Sequence, residues 1–255
     1  MSKTTASPSN TQQTGADAPT RSAWLPLLGV SALVIAGLDL VFLALIAEVV
    51  PPLVAGAALT AVGVALLRFR PRVGVIVLGL TTVVMLIGSM PFAADHLAHP
   101  DSGIDWAHAV IGVVGRLVVL VAVVGAWRSG SEAGARRVGV GSLTLLGLVA
   151  AVALVATAVT SGDELQSGDV VLEITATEFP DVVTVQTGDV LYVDNQHMFR
   201  HTFTVEGTDI DINLPALQGV RVPIDLAPGT YELTCAVPGH EAMTGQLVVE
   251  PRLGA

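Results

Sequence analysis

The chain has 255 residues, room for one or two domains. Of these, 52% are hydrophobic and only 13% charged, against roughly 25% charged in soluble globular proteins, and the mean hydropathy is +0.69, which points to membrane-embedded helices. The formal net charge of −10 belongs to the C-terminal part: from Ser161 onward fifteen acidic residues face three arginines, while the residues before it hold seven acids and nine bases. An acidic domain argues against a nucleic-acid partner, and a single cysteine excludes an internal disulfide.

Residues 1–23, rich in Ser, Thr, Gln and Ala, read as a disordered N-terminal tail. They do not read as a secretory signal, because the apolar segment behind them is too long for an h-region. Residues 24–160 are predicted to form an all-α transmembrane helical bundle of about five spans, at 24–50, 52–67, 73–92, 106–127 and 138–160, since roughly 20 apolar residues cross a bilayer. Arg68, Arg70 and Arg72 join the second and third spans, and Arg128, Arg136 and Arg137 join the fourth and fifth. Both loops are therefore expected in the cytoplasm. The loop near 93–104 carries Asp95, His96, His99 and Asp101 without a Lys or Arg and is expected on the outside. Alternation then leaves the N-terminus in the cytoplasm and the C-terminal domain outside it.

Two charges lie inside the predicted spans. At 1.5 Å per residue, Asp39 sits about 22 Å and Arg116 about 16 Å from the inner edge, a spacing that predicts an ion pair between the first and fourth spans. The pair reads either as a pin that fixes helix packing or as a proton or ligand site. His96, His99 and His108 gather near the outer face with Asp95, Asp101 and Asp105. That group reads as a polar interfacial loop or as an accessory metal site.

Residues 161–168 form a short linker, and at residue 169 the apolar period changes from helical to two. Leu172, Ile174 and Ala176 alternate with Glu173, Thr175 and Thr177, the pattern of a half-buried strand. Further runs follow at 183–185, 190–193, 201–205, 220–226, 231–235 and 246–250, separated by turns such as Thr187-Gly188-Asp189 and Ala227-Pro228-Gly229. About seven short strands over residues 169–251 predict an all-β sandwich of Greek-key type.

This domain holds the most specific motif of the chain, Cys235-Ala-Val-Pro-Gly-His240-Glu-Ala-Met243. A thiolate, an imidazole and a thioether form a soft, asymmetric donor set. A further imidazole completes the His2Cys site with a weak axial Met that suits copper in electron-transfer proteins. His201 is the candidate, because it opens a strand in the same inward register as Phe203 and Val205; His197 is its rival.

Residues from about Val170 to Glu250 resemble a cupredoxin, the blue-copper domain of plastocyanin, azurin and amicyanin. The resemblance is carried by Gly188-Asp189, the apolar run Val190–Val193, Asn195, His201, Gly229-Thr-Tyr231-Glu-Leu-Thr-Cys235, and the Cys-x4-His-x2-Met loop followed by Gly245. The Cys-x4-His spacing is similar to azurin and His-x2-Met to amicyanin. Many relatives have Asn directly after the first ligand histidine, where this chain has Thr202.

The resemblance implies one type 1 copper ion held by His201, Cys235, His240 and Met243, with electrons passing through an exposed edge of His240. Met198 and Phe199 are expected to widen the docking patch, and Arg200 to steer a partner or raise the potential. The expected function is a membrane-anchored blue-copper electron carrier on the extracytoplasmic side of the cytoplasmic membrane, in contact with the lipid bilayer and a redox partner protein. The alternatives are a copper-handling protein and a copper-relay subunit of a larger membrane redox complex. One cysteine excludes a binuclear copper centre, and six histidines are too few for a multicopper oxidase. No nucleophile constellation or phosphate loop stands out. The chain therefore reads as no enzyme by itself, with no catalytic residues and no small-molecule substrate.

Overall fold

A computed structural model of the chain describes residues 23–46, 50–128 and 130–252; nearly all of the predicted N-terminal tail lies outside them. Among the described residues, five helices come first: α1 (Trp24–Ile46), α2 (Pro51–Phe69), α3 (Pro71–Ala98), α4 (Gly103–Trp127) and α5 (Glu132–Val159). Each is long and apolar enough to cross a membrane. Large apolar side chains such as Val84, Leu143 and Leu154 stand exposed on them. An apolar surround is what such helices require.

The helix ends follow from local chemistry. Pro51 and Pro52 occupy the first turn of α2, where the missing amide hydrogen costs nothing. Arg70, at φ −138° and ψ 71°, breaks the chain between α2 and α3 because the following Pro71 disfavours helical geometry at the residue before it. Ser131 caps α5 by accepting from the Gly134 amide at 3.2 Å. Helix α3 runs to Ala98, six residues past the predicted end of that span, and α5 begins at Glu132, six residues before its predicted start. Polar residues at both places continue the helix beyond the apolar run.

Helices α1–α4 pack side by side, and α5 packs mainly on α4. The α2–α3 contact is close: a Cβ added at Gly63 would stand 2.7 Å from Leu78 Cδ2, and a small residue is what lets two helices in lipid approach so far. Trp24 is buried and donates from Nε1 to the Ser131 carbonyl at 3.2 Å, tying the start of α1 to the α4–α5 turn. Deeper in the bundle, Arg116 Nη2 of α4 lies 2.9 Å from both carboxylate oxygens of Asp39 of α1.

The β domain has eight strands among the described residues: β1 (Val170–Ile174), β2 (Val182–Gln186), β3 (Val190–Asn195), β4 (His201–Val205), β5 (Asp211–Leu214), β6 (Gln218–Pro223), β7 (Gly229–Thr234) and β8 (Thr244–Glu250). They form two sheets, ordered β1-β3-β6 and β2-β8-β7-β4-β5. The β1–β3 and β2–β8 pairs are parallel and the rest antiparallel, the mixed pairing of a Greek-key sandwich with crossovers between the sheets. Alternate residues such as Ile174, Leu191, Val193, Phe203, Leu233 and Leu247 are buried between the sheets. The strand missed in the sequence is β5, four residues at the edge of its sheet.

Residues 161–168 do not hang free. The Asp163 amide donates to the Gly219 carbonyl at 2.8 Å, and the Arg221 amide donates to Asp163 Oδ2 at 2.8 Å. Gln218 Nε2 reaches Thr160 Oγ1 at 3.3 Å. The segment after α5 is thus laid along β6.

Candidate metal centre

Strand β4 begins at His201, and β7 ends one residue before Cys235. Because the two strands run antiparallel, with Thr204 opposite Thr234 and Val205 opposite Leu233, the start of β4 lies beside the chain that leaves β7. That chain, residues 235–243, is the β7–β8 loop. It is folded tightly by backbone bonds from Cys235 to the Met243 carbonyl (3.2 Å), from His240 to the Val237 carbonyl (3.0 Å) and from Met243 to the His240 carbonyl (2.8 Å). Gly239 sits in the loop at φ +88°, where a side chain would be strained. The loop brings His240 back over the cysteine.

The result is a compact set of donors. Cys235 Sγ lies 3.9 Å from His201 Nδ1 and 3.6 Å from His240 Nδ1. The two imidazoles stand 4.9 Å apart between ring centroids, and one donor atom from each of the three residues lies within 4.8 Å of the others. Two donors bonded at about 2.0–2.3 Å to a common ion stand no more than roughly 4.6 Å apart, so the S···N separations fit a single ion between them. Met243 is fully buried in the same core as Cys235. The cysteine sulfur and two imidazoles in this arrangement, with the Met243 thioether in the same core, form a type 1-like copper site, the donor set that suits copper.

The surroundings hold the donors in the state a metal needs. His201 is fully buried, and burial, followed by the neighbouring His240, His197 and Arg200, pushes its pKa down to about 3. It is therefore a neutral imidazole at physiological pH. His197, the rival donor, stands on the far side of His201: its Nδ1 is 3.0 Å from His201 Nε2. When His201 keeps Nδ1 free for a metal, its Nε2 carries the hydrogen and donates to His197, which fixes the ring. The Thr202 amide donates to Cys235 Sγ at 3.4 Å, and Thr202 Oγ1 accepts from the Ala236 amide at 2.7 Å. Thr202 thus braces the cysteine loop.

Asn195 has a role that spacing did not reveal. Fully buried at the end of β3, its amide donates at 3.0 Å to the carbonyls of Phe199, Leu214 and Pro215, and its Oδ1 accepts from the His197 amide at 3.1 Å. It clamps the loop that leads into His201 against the end of β5.

The donor-bearing end of the sandwich is seated on the helical bundle, at the turn between α3 and α4. The Arg200 amide donates to Asp105 Oδ2 at 2.6 Å, and its guanidinium pairs with Asp95 while Nη1 donates to Asn213 Oδ1 at 2.8 Å. Ser102 Oγ donates to Asp105 at 2.8 Å and accepts from the Ala216 amide at 3.1 Å, and Asn213 donates to Asp101. Phe199 packs edge-on against Phe42 of α1, which is stacked on His108 of α4 with ring centroids 4.5 Å apart. A Cβ at Gly239 would lie 2.8 Å from Phe92 of α3.

Three expectations change accordingly. Arg200 is buried at 2% exposure and engaged with acids of the bundle, so it is no steering charge on the surface. Phe199 is covered by Phe42 and does not widen an open patch. Asp95, Asp101 and Asp105 are spent on docking, and among the described residues the three-donor grouping able to hold a metal is His201, Cys235 and His240; His96, His99 and His108 form no second one.

No protein-family model matches the chain, and no curated protein matches it. Solved structures of amicyanin do match over the C-terminal part. A reduced variant is 21% identical over 34% of this chain and 87% of its own, with a TM-score of 0.31. An oxidised variant is 20% identical over the same shares with a TM-score of 0.30, and a variant in its reduced Cu(I) form is 23% identical over the same shares with a TM-score of 0.28.

Proposed function

We propose that the β domain is a mononuclear type 1 copper electron carrier, with the metal held by His201, Cys235, His240 and Met243, and that the five helices fix it to the cytoplasmic membrane. The observation that carries this reading is the convergence of one sulfur and two imidazole nitrogens within 4.8 Å at one end of a closed sandwich. Copper bound there supplies a one-electron couple between Cu(II) and Cu(I). The protein's part is to hold the donors still. Cys235 is presented with its sulfur accepting the Thr202 amide, His201 as a neutral ring fixed by His197, and Met243 from a buried position. His240 is half-buried and offers its edge for exchange with a redox partner protein.

The arginines at and beside the α2–α3 turn (Arg68, Arg70, Arg72) and the α4–α5 turn (Arg128, Arg136, Arg137) support a cytoplasmic side for those turns, and with it an extracytoplasmic side for the α3–α4 turn and the copper domain. The chain acts in this reading as a carrier and not as an enzyme by itself.

The test is to load the full chain in mild detergent with Cu(II). An intense thiolate-to-copper absorption band is expected, and Cys235→Ser abolishes it. A colourless protein that takes up copper no better than Cys235→Ser would sink the reading.

A further inference from the structure

The site as usually drawn from its four donors stops at the sandwich. Here the next layer out comes from a different part of the chain. Arg200 precedes His201 in sequence, so their Cα atoms are about 3.8 Å apart, and every named partner of its charge and of its amide except Asn213 belongs to the α3–α4 end of the bundle. We propose that this end of the bundle is a working part of the metal site: Asp95 sets the reduction potential by neutralising Arg200, and Asp105 positions His201 through the Arg200 backbone. This rests on the copper reading above and gives the bundle a function besides anchoring.

The sign follows from charge. The oxidised site carries one more positive charge than the reduced one. An uncompensated cation beside it therefore disfavours oxidation and raises the potential, and an uncompensated anion lowers it. Arg200 is 2% exposed, so water screens its charge poorly and the Asp95 carboxylate does the screening. Asp105 acts by geometry. Its Oδ2 holds the Arg200 amide at 2.6 Å and the Ser102 hydroxyl at 2.8 Å, and Ser102 in turn receives the Ala216 amide, next to the Pro215 carbonyl that Asn195 holds. Asp105 and Asn195 thus grip the loop that delivers His201 from opposite sides. Asp105 and Asn195 are positioning residues, Asp95 acts through its charge, and none of the three is among the four donors.

The experiment uses the copper-loaded full chain in detergent, titrated electrochemically while the thiolate band is followed. Asp95→Asn is expected to raise the midpoint potential, Arg200→Gln to lower it, and Asp95→Asn with Arg200→Gln to return it close to the starting value. A purely mechanical interface would not give shifts of opposite sign that cancel. In the metal-free protein, hydrogen exchange at the Arg200 amide is expected to accelerate at least tenfold in Asp105→Ala. Loss of the band in the unsubstituted protein would defeat the copper reading itself. A band retained in Asp95→Asn and Arg200→Gln with an unmoved potential, or an unchanged Arg200 exchange rate in Asp105→Ala, would overturn this inference alone.

Discussion

Asn195 shows how much a single uncharged side chain decides here. It is fully buried, its two amide hydrogens are shared among the carbonyls of Phe199, Leu214 and Pro215, and its Oδ1 accepts from the His197 amide. Removing it leaves those buried groups without their partner, and each such loss costs about 1–3 kcal/mol. Asn195→Ala is therefore expected to lower the stability of the sandwich by about 3 kcal/mol or more. Thr202→Val, which orphans the Ala236 amide and removes the 3.1 Å bond to the Thr204 hydroxyl, costs about 1–2 kcal/mol on the same grounds. Urea unfolding followed on the β-sheet signal checks both, and equal effects from the two substitutions would contradict the clamp. Spacing made the four soft donors legible because three of them lie within nine residues and the fourth opens a strand. It left the role of Asn195 dark, because that role is defined by carbonyls at 199, 214 and 215, which only the folded chain brings together.

At the level of elements, the site is the product of one antiparallel pair, β4 and β7, and the hairpin loop that follows. Alternation in the sequence placed His201 and Cys235 in the inward register, and the pairing of β4 with β7 turns that register into proximity. Edge strand β5 escaped notice because its alternation, Asp211-Ile212-Asn213-Leu214, runs for only four residues. The rigid burial of His201 has a thermodynamic consequence in the metal-free protein. Its folded pKa of about 3 lies below the ordinary 6.5, so between those values the unfolded chain binds a proton that the folded chain excludes. Stability from this group is complete above about pH 6.5 and is lost as the pH falls toward about 3, at up to roughly 1.4 kcal/mol per pH unit. Thermal unfolding of the metal-free protein across pH 4–7 is expected to show this decline, and His201→Phe is expected to flatten it. A profile equally steep in His201→Phe would assign the decline to other groups.

Across the whole molecule, two regions that read as separate from sequence are joined at their functional ends. The acids at 95–105 and Arg200 are about a hundred residues apart, and nothing in either stretch alone names the other as its partner; the polar α3–α4 turn and the arginine beside a ligand were visible, their meeting was not. The bundle can serve as a fixed platform only if its own helices keep their register, and the Asp39–Arg116 pair joins two of them, α1 and α4. Its location was legible from hydropathy, since two charges at similar depth in apolar spans need each other. Both side chains are nearly buried, at 13% and 7% exposure, and Arg116 Nη2 reaches both Asp39 carboxylate oxygens at 2.9 Å. Removing one partner leaves an uncompensated charge in the bundle, which costs about 3–5 kcal/mol, whereas replacing both by apolar residues of similar volume is often close to neutral. Asp39→Asn is therefore expected to lower the midpoint of thermal unfolding of the detergent-solubilised protein, and Asp39→Leu with Arg116→Leu to lower it less. A double substitution as damaging as the two single ones combined would mean that the residues act independently, and the pair would then be no pin between α1 and α4.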